Sequence, residues 1–102
     1  MNKLFVYGTL KKNESNHRLL KDEKYLGICK TQDKYNLVFD RLPFLSEYPQ
    51  TEQIEGELYE VNDVKLKELD IFEGHPFLYE RKIIKVLFDN NVIECYCYIY
   101  ND

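Results

Sequence analysis

The sequence predicts an α+β fold: a single compact domain whose mixed β-sheet of about six or seven short strands curls towards a β-barrel, with two flanking helices. Three observations predict this fold. Runs rich in aromatic and β-branched residues recur along the chain, separated by Gly, Pro, Asn or Asp. A long helical period appears only in the stretch 62–73. The length, 102 residues, suits one core but not two, so we expect one domain over residues 1–102.

Charge and hydropathy disfavour several classes of partner. The 14 Lys and Arg residues are scattered among 18 Asp and Glu residues, and the formal net charge is −4, so we expect no nucleic-acid partner. Apolar runs are short and the chain enters a strand directly, so we expect no membrane span, no secretory signal and a cytoplasmic location. The sequence leaves the oligomeric state open.

The first strand is predicted over Lys3–Tyr7, a run that is apolar on both faces and stops at Gly8. After a polar loop, Ser15 or Asn16 can cap a short helix that runs through Leu20. Further strands are predicted over residues 25–29, 35–39, 54–59, 80–88 and 92–100.

Turn and breaker residues complete the strand assignment. Pro43 and Pro49 each remove a backbone donor and restrain the preceding residue, so we expect residues 42–49 to form an irregular edge segment and loop that can line a pocket. Gly56 is expected to mark a β-bulge in its strand. The Asp-Asn-Asn run at 89–91 predicts a hairpin turn before the last strand.

The cysteines and histidines do not suggest a metal or a disulfide. Cys29, Cys95 and Cys97 are odd in number and contain no CxxC pair. Cys95 and Cys97 share the inward face of the last strand with two isoleucines, which predicts reduced core thiols. A thiol hydrolase that uses one of them is a disfavoured alternative, since no His is near in sequence. His17 and His75 lack metal-pair spacing, so we predict no metal site.

The helix predicted over residues 62–73 has clear boundaries. Asn62 or Asp63 can cap its start, and Gly74 with Pro76 ends it. We expect one buried apolar stripe, formed by Leu66, Leu69 and Phe72.

Glu73 lies in the last turn of this predicted helix, where the macrodipole disfavours a carboxylate by about 0.3–1 kcal/mol. Among Ile71, Phe72 and Phe77, it is expected to hold its proton more tightly than a solvated Glu. Such a group suits proton transfer near neutral pH. The alternative is that Glu73 points to water, as helix-end acids often do.

The turn Gly8-Thr9-Leu10 is a second candidate for chemistry. Gly8 permits positive φ and close approach of another molecule, and the amides after it can point together at an oxygen. The alternative is an ordinary strand exit.

Two separated motifs connect these candidates. The first is Phe-Val-Tyr-Gly-Thr-Leu-Lys at residues 5–11, followed by Asn-His-Arg at 16–18. The second is Glu-Gly-Glu-Leu-Tyr-Glu-Val at residues 55–61, running on to Leu69-Asp70, Phe72-Glu73, Pro76, Tyr79 and Arg81. Together they resemble the gamma-glutamylcyclotransferase (AIG2-like) family over most of the chain. The Tyr-Gly-Thr-Leu-Lys version is similar to the gamma-glutamylaminecyclotransferase branch.

The resemblance implies a compact β-barrel and a catalytic acid-base carboxylate at Glu73. It implies a substrate-binding site and its supporting residues: Tyr7, Gly8, Thr9, Leu10, Tyr79 and Arg81. Similar aminecyclotransferases continue beyond the final strand, whereas this sequence ends at Asp102. We therefore expect a more open pocket, and the leaving-group preference stays open.

The implied reaction is an internal cyclisation of a small gamma-glutamyl amine such as gamma-glutamyl-ε-lysine. Its α-amino group attacks the γ-carbonyl, forms 5-oxoproline and expels the amine. Glu73 would accept the α-ammonium proton and deliver a proton to the departing nitrogen, without a cofactor. The amides of Gly8, Thr9 and Leu10 would hold a carboxylate or the oxyanion.

Two other functions remain open from the sequence. One is a cyclotransferase for gamma-glutamyl dipeptides, and the other is a non-catalytic small-ligand binding domain in which Glu73 is idle. Asp70, one helical turn before Glu73, could be mistaken for the base, and we expect Asp70→Asn to have a milder effect than Glu73→Gln.

Overall fold

In the computed structural model, which describes residues 1–101, the chain forms seven strands, one α-helix and one 3-10 turn at His17–Leu19. The helix, α1, spans Asp63–Glu73. The strands are β1 (Asn2–Val6), β2 (Lys24–Thr31), β3 (Asn36–Asp40), β4 (Leu42–Ser46), β5 (Glu55–Val61), β6 (Tyr79–Phe88) and β7 (Asn91–Tyr100). The α+β class is confirmed, but the first predicted helix is only a 3-10 turn, and its predicted cap residue Asn16 makes no side-chain cap hydrogen bond.

Five strands close into a barrel in the order β1-β5-β2-β6-β7. Neighbouring strands are antiparallel except β1 and β7, which pair in parallel through Leu4 and Tyr96. The β6–β7 turn at Asp89 and Asn90 has positive φ at both residues, as the type I′ form of a two-residue hairpin turn requires. The predicted barrel is confirmed, although it contains fewer strands than the expected six or seven.

The missing two strands, β3 and β4, form a separate hairpin. The expectation of an irregular segment at Pro43 is therefore wrong, since Pro43 lies inside β4 opposite Phe39. Both strands of a two-stranded sheet are edges, where the missing N–H of a proline is tolerated. The Phe44 ring packs against Tyr100 of β7 with centroids 4.5 Å apart, which attaches the hairpin to the barrel.

The buried side chains form two clusters, one on each face of the barrel wall. The first faces the barrel interior and includes Phe5, Leu58, Val86, Cys95, Cys97 and Ile99. The second lies between the barrel and α1 and includes Leu4, Val6, Tyr59, Leu66, Leu69 and Tyr98. The predicted inward face of the last strand is confirmed, and its cysteines are buried and free.

The boundaries of α1 agree with the prediction. Asn62 accepts a hydrogen bond at Oδ1 from the Lys65 N–H at 2.7 Å. Gly74 adopts a left-handed conformation with φ 68°, and its N–H donates to the carbonyls of Asp70 and Ile71.

Within residues 1–101, no helix is long and apolar enough to cross a membrane.

The β-bulge lies in β2 and not at Gly56. The register between β2 and β5 shifts between Tyr25 and Gly27, whose φ of 147° favours glycine. Gly56 has a different structural role, since a Cβ there would lie too close to the Val6 carbonyl oxygen. Gly56 therefore permits close packing of β5 against the end of β1.

Candidate active site

A cavity of about 170 Å³ lies between the end of β1, the β3–β4 hairpin and the end of α1. Its lining includes Leu42 and Pro43 of the hairpin and Phe72 of the helix. Glu73 also lines this cavity, together with five of the predicted binding residues: Tyr7, Gly8, Thr9, Leu10 and Tyr79. These groups are far apart in the chain, and the tertiary structure brings them to one cavity.

Glu73 supplies the acidic side chain of this cavity. Among the described residues that line it, no other is an Asp, Glu, Lys, Arg or His. Within residues 1–101, the Glu73 carboxylate forms no hydrogen bond and no ion pair. Burial disfavours the charged form and raises the pKa of Glu73 from 4.5 to about 7. Glu73 can therefore both accept and donate a proton near neutral pH.

The groups that shield Glu73 differ from those predicted. Ile71 and Phe77 are 83% and 87% exposed, so they do not enclose the carboxylate. Phe72 lines the cavity but is 42% exposed, and the predicted buried stripe of α1 is limited to Leu66 and Leu69. The desolvation comes from the cavity walls, which belong largely to elements distant in sequence.

Side chains from the 3-10 region hold the loop after β1. Asn16 donates from Nδ2 to Thr9 Oγ1 and from its backbone N–H to the Thr9 carbonyl, both at 2.9 Å. His17 Nδ1 lies 2.9 Å from the Leu10 carbonyl and donates to it. Within residues 1–101, the N–H groups of Gly8, Thr9 and Leu10 donate no hydrogen bond. The loop therefore presents unengaged backbone donors in residues that line the cavity.

Tyr7 and Gly8 differ in detail from expectation. The Tyr7 hydroxyl donates to the Tyr98 carbonyl at 2.6 Å and accepts from the Leu45 N–H at 3.2 Å, so it is already engaged. Gly8 does not use positive φ. A Cβ at Gly8 would lie 3.5 Å from the Pro43 carbonyl, an ordinary contact.

Arg81 does not line the cavity and instead pairs with Asp70. Its Nε lies 2.8 Å from Oδ1 and its Nη2 3.1 Å from Oδ2, while Tyr98 donates its hydroxyl to Oδ1 at 2.7 Å. Burial would raise the pKa of Asp70, but these hydrogen bonds and the Arg81 charge outweigh it and lower the pKa below 3.8. Asp70 is therefore held ionised, unlike Glu73 one turn later.

The sequence did not identify Asn16 and Tyr98 as lining residues. Asn16 could have been found, because it belongs to the Asn-His-Arg part of the first motif. Tyr98 carries no local signal, since its place in the cavity depends on how β7 packs under α1. Within residues 1–101, no group of three or more His, Cys, Asp or Glu side chains is placed to hold a metal ion.

Fold and cavity together define a small barrel domain in which one carboxyl group with a raised pKa shares a cavity with a loop of backbone donors. Residues 4–102 match the family model described as Gamma-glutamyl cyclotransferase, AIG2-like. The chain belongs to this family, and the predicted class of enzyme, a cyclotransferase, is confirmed at the level of the family.

Similar proteins span several branches of life. A Methanocaldococcus jannaschii protein, provisionally named a gamma-glutamylcyclotransferase, is 39% identical over 102 residues, which cover 98% of this chain and 85% of the relative. The gamma-glutamylaminecyclotransferase of Homo sapiens is 37% identical over 92 residues, which cover 81% of this chain and 60% of the human protein. The crystal structure of an AIG2-like protein from Mus musculus superposes with a TM-score of 0.91 at 30% identity, covering 97% of this chain and 76% of that one.

Proposed function

We propose that this protein is a cyclotransferase that acts on gamma-glutamyl amines, such as gamma-glutamyl-ε-lysine, and releases 5-oxoproline and the free amine. The observation that carries the proposal is the placement of Glu73, an unpaired carboxyl with a pKa of about 7, in one cavity with the donor loop Gly8-Thr9-Leu10. The similarity to a human protein named for gamma-glutamylamines supports the choice of substrate.

In the proposed reaction, Glu73 acts as both base and acid. It accepts a proton from the substrate α-ammonium, and the neutral amine attacks the γ-carbonyl to form the lactam C–N bond. Collapse of the tetrahedral intermediate breaks the bond to the leaving nitrogen, and Glu73 delivers its proton there. The second proton of the attacking nitrogen passes to the departing amine or to solvent, which leaves the neutral lactam and the free amine. Because the nucleophile belongs to the substrate, the enzyme gains most by folding it into a reactive conformation.

The other cavity residues bind the substrate in this proposal. The N–H groups of Gly8, Thr9 and Leu10 stabilise a substrate carboxylate or the developing oxyanion, worth roughly 3–4 kcal/mol per lost donor in comparable sites. Tyr7 and Tyr79 contribute their rings, since the Tyr7 hydroxyl is already hydrogen-bonded.

Glu73→Gln tests the proton-transfer role. The amide has nearly the same shape but cannot take up the proton, so turnover should fall by about 10²–10⁴-fold while the variant stays folded. Release of 5-oxoproline from gamma-glutamyl-ε-lysine measures it. Glu68→Gln is the matched control, because Glu68 is on the exposed surface of the same helix, paired only with Lys65. Wild-type turnover by Glu73→Gln would remove Glu73 from the mechanism.

A substrate panel separates the candidate functions. The wild-type protein is incubated with gamma-glutamyl-ε-lysine, gamma-glutamyl-alanine and glutathione, and 5-oxoproline is measured. Release from the first supports the proposal, whereas release only from the dipeptide identifies a dipeptide cyclotransferase. Tight binding without product would leave a ligand-binding domain.

A further inference from the structure

The position of Glu73 in the cavity depends on the last turn of α1. Within residues 1–101, no side chain holds its carboxylate by a hydrogen bond or an ion pair. The position of the Glu73 carboxylate in the cavity therefore depends on the position of the backbone from Asp70 to His75. Displacement of about 1 Å in a reacting group can cost about 100-fold in rate, so whatever holds this backbone affects the reaction.

Asp70 holds the helix end through both its backbone and its side chain. Its carbonyl accepts hydrogen bonds from the N–H groups of Gly74 and His75, the latter at 2.9 Å. Its carboxylate receives the two guanidinium bonds of Arg81 and the hydroxyl of Tyr98. One residue thus connects the end of α1 with both strands of the longest ladder, β6 and β7.

His75 attaches the chain after the helix to β6 by a second contact with Arg81. Its Nδ1 accepts the backbone N–H of Arg81 at 2.9 Å, so the chain after the helix is tied to the same point of β6. The Arg81 guanidinium lies 4.5 Å from the centre of the Tyr96 ring, a cation–π contact that limits its movement. We call Asp70, His75 and Arg81 the clamp.

The clamp contacts β6 and β7, and these two strands also contribute residues to the cavity wall. Tyr79 precedes Arg81 by two residues on β6, and Tyr98 pairs with Arg81 in the β6–β7 register. Both tyrosines line the cavity. The contacts that hold the helix end therefore also determine how far Glu73 lies from the opposite wall.

We propose that Asp70, His75 and Arg81 are positioning residues that hold the end of α1 so that Glu73 projects into the cavity at a working distance from its walls. This inference rests on the proposed function for its kinetic test. Ion pairing keeps Asp70 charged and occupied, so it serves as an anchor and not as a second base.

Conservative variants test the clamp by kinetics. Asp70→Asn keeps the shape but loses the charge, and Arg81→Lys keeps the charge but loses the two-pronged hydrogen bonding. Each should lower kcat by about 10–100-fold and change KM by less than about threefold. Glu68→Gln is again the control, since it also breaks an acid–base pair on α1, between Glu68 and Lys65.

A second comparison uses His75. His75→Asn retains an acceptor near the place of Nδ1, whereas His75→Ala removes it. We expect the Asn variant to recover most of the kcat that the Ala variant loses. Equal loss in both variants would contradict a hydrogen-bonding role for His75.

A double-mutant cycle distinguishes positioning from general destabilisation. If the clamp acts through Glu73, Asp70→Asn should cause no further loss of kcat in a Glu73→Gln background. Full additivity of the two losses, or wild-type kcat in folded Asp70→Asn and Arg81→Lys, would overturn the proposal. Thermal unfolding by circular dichroism establishes that each variant is folded.

One measurement is independent of turnover. The Glu73 carboxyl is titrated by carbon-13 NMR in the wild type and in Arg81→Lys, which conserves the charge. A released helix end lets water reach Glu73, so its pKa should fall by about one pH unit or more towards the ordinary value. If the wild type forms no 5-oxoproline, the proposed function fails but this titration still tests the clamp, which an unchanged pKa would overturn.

Discussion

Two carboxyl groups one helical turn apart, Asp70 and Glu73, have opposite pKa shifts. Asp70 receives three hydrogen bonds, two of them from a guanidinium, and its pKa is lowered. Glu73 receives none within the described chain, and burial raises its pKa to about 7. Opposite shifts in neighbouring acids give the two groups different states near neutral pH, since one stays ionised while the other can exchange a proton.

The raised pKa predicts how Glu73 affects stability. Between about pH 4.5 and 7 the folded protein binds more protons at Glu73 than the unfolded chain does, so this residue lowers stability as pH rises. Below that range both states are protonated and the effect vanishes. Glu73→Gln should therefore be more stable than the wild type by about 1–3 kcal/mol at pH 8, and about equal to it at pH 4.

Urea unfolding at the two pH values measures this difference. Glu68→Gln serves as the control. The change in its free energy of unfolding between the two pH values should equal that of the wild type, because Glu73 is still present. Equal stability of Glu73→Gln and the wild type at both pH values would mean that Glu73 is not desolvated.

The cysteines give a second prediction at the residue scale. Burial raises the pKa of Cys95 to about 12 and that of Cys97 well above its usual value, so little thiolate exists at neutral pH. Treatment of the folded protein with iodoacetamide should leave 5-oxoproline formation unchanged. Loss of turnover that parallels modification of Cys95 or Cys97 would instead favour thiol chemistry.

At the scale of elements, the close approach of β1 and β5 determines where β1 delivers its loop. Gly56 allows that approach, because a Cβ would meet the Val6 carbonyl at 2.4 Å and the Phe5 ring at 2.7 Å. The strand end that precedes the donor loop is thus positioned by a residue on the neighbouring strand.

Gly56→Ala should therefore destabilise the barrel by about 2–4 kcal/mol, as overpacking of a closed core does. Gly8→Ala is a matched control, since its added Cβ would meet only ordinary contacts at Pro43. We expect it to cost less than about 1 kcal/mol. Chemical denaturation of both variants measures the difference, and equal costs would show that β1 and β5 can separate without penalty.

At the scale of the whole molecule, the Tyr7 hydroxyl joins three elements around the cavity. It bonds to the Tyr98 carbonyl in β7 and to the Leu45 N–H in β4. The hairpin, which lies outside the barrel sheet, is held to the cavity wall by this contact and by the Phe44–Tyr100 ring contact.

Tyr7→Phe should loosen the hairpin, because the buried Leu45 N–H loses its acceptor at a cost of about 1–3 kcal/mol. Hydrogen exchange should quicken at the Leu45 amide while the β6–β7 ladder stays protected. The hairpin supplies Leu42 and Pro43 to the cavity, so KM should also rise. Unchanged exchange at Leu45 would show that the hydrogen bond from the Leu45 N–H to the Tyr7 hydroxyl does not hold the hairpin.

Much of this architecture follows from local signals. The caps at Asn62 and Gly74, the turn before β7 and the inward face of β7 were all predicted, because side-chain period and turn chemistry act over a few residues. The separation of the β3–β4 hairpin and the bulge before Gly27 were not predicted. Both depend on which strands meet across the sheet, which no short stretch encodes.

The sequence by itself determined the family, through its two motifs, and the position of an acid at the end of a helix. The tertiary structure alone decided that Glu73 shares a cavity with the loop after β1, and that Arg81 holds Asp70 from outside that cavity. The physical reason is that desolvation of a carboxyl, and hence its pKa, depends on every wall that excludes water. Those walls come from parts of the chain that only folding brings together.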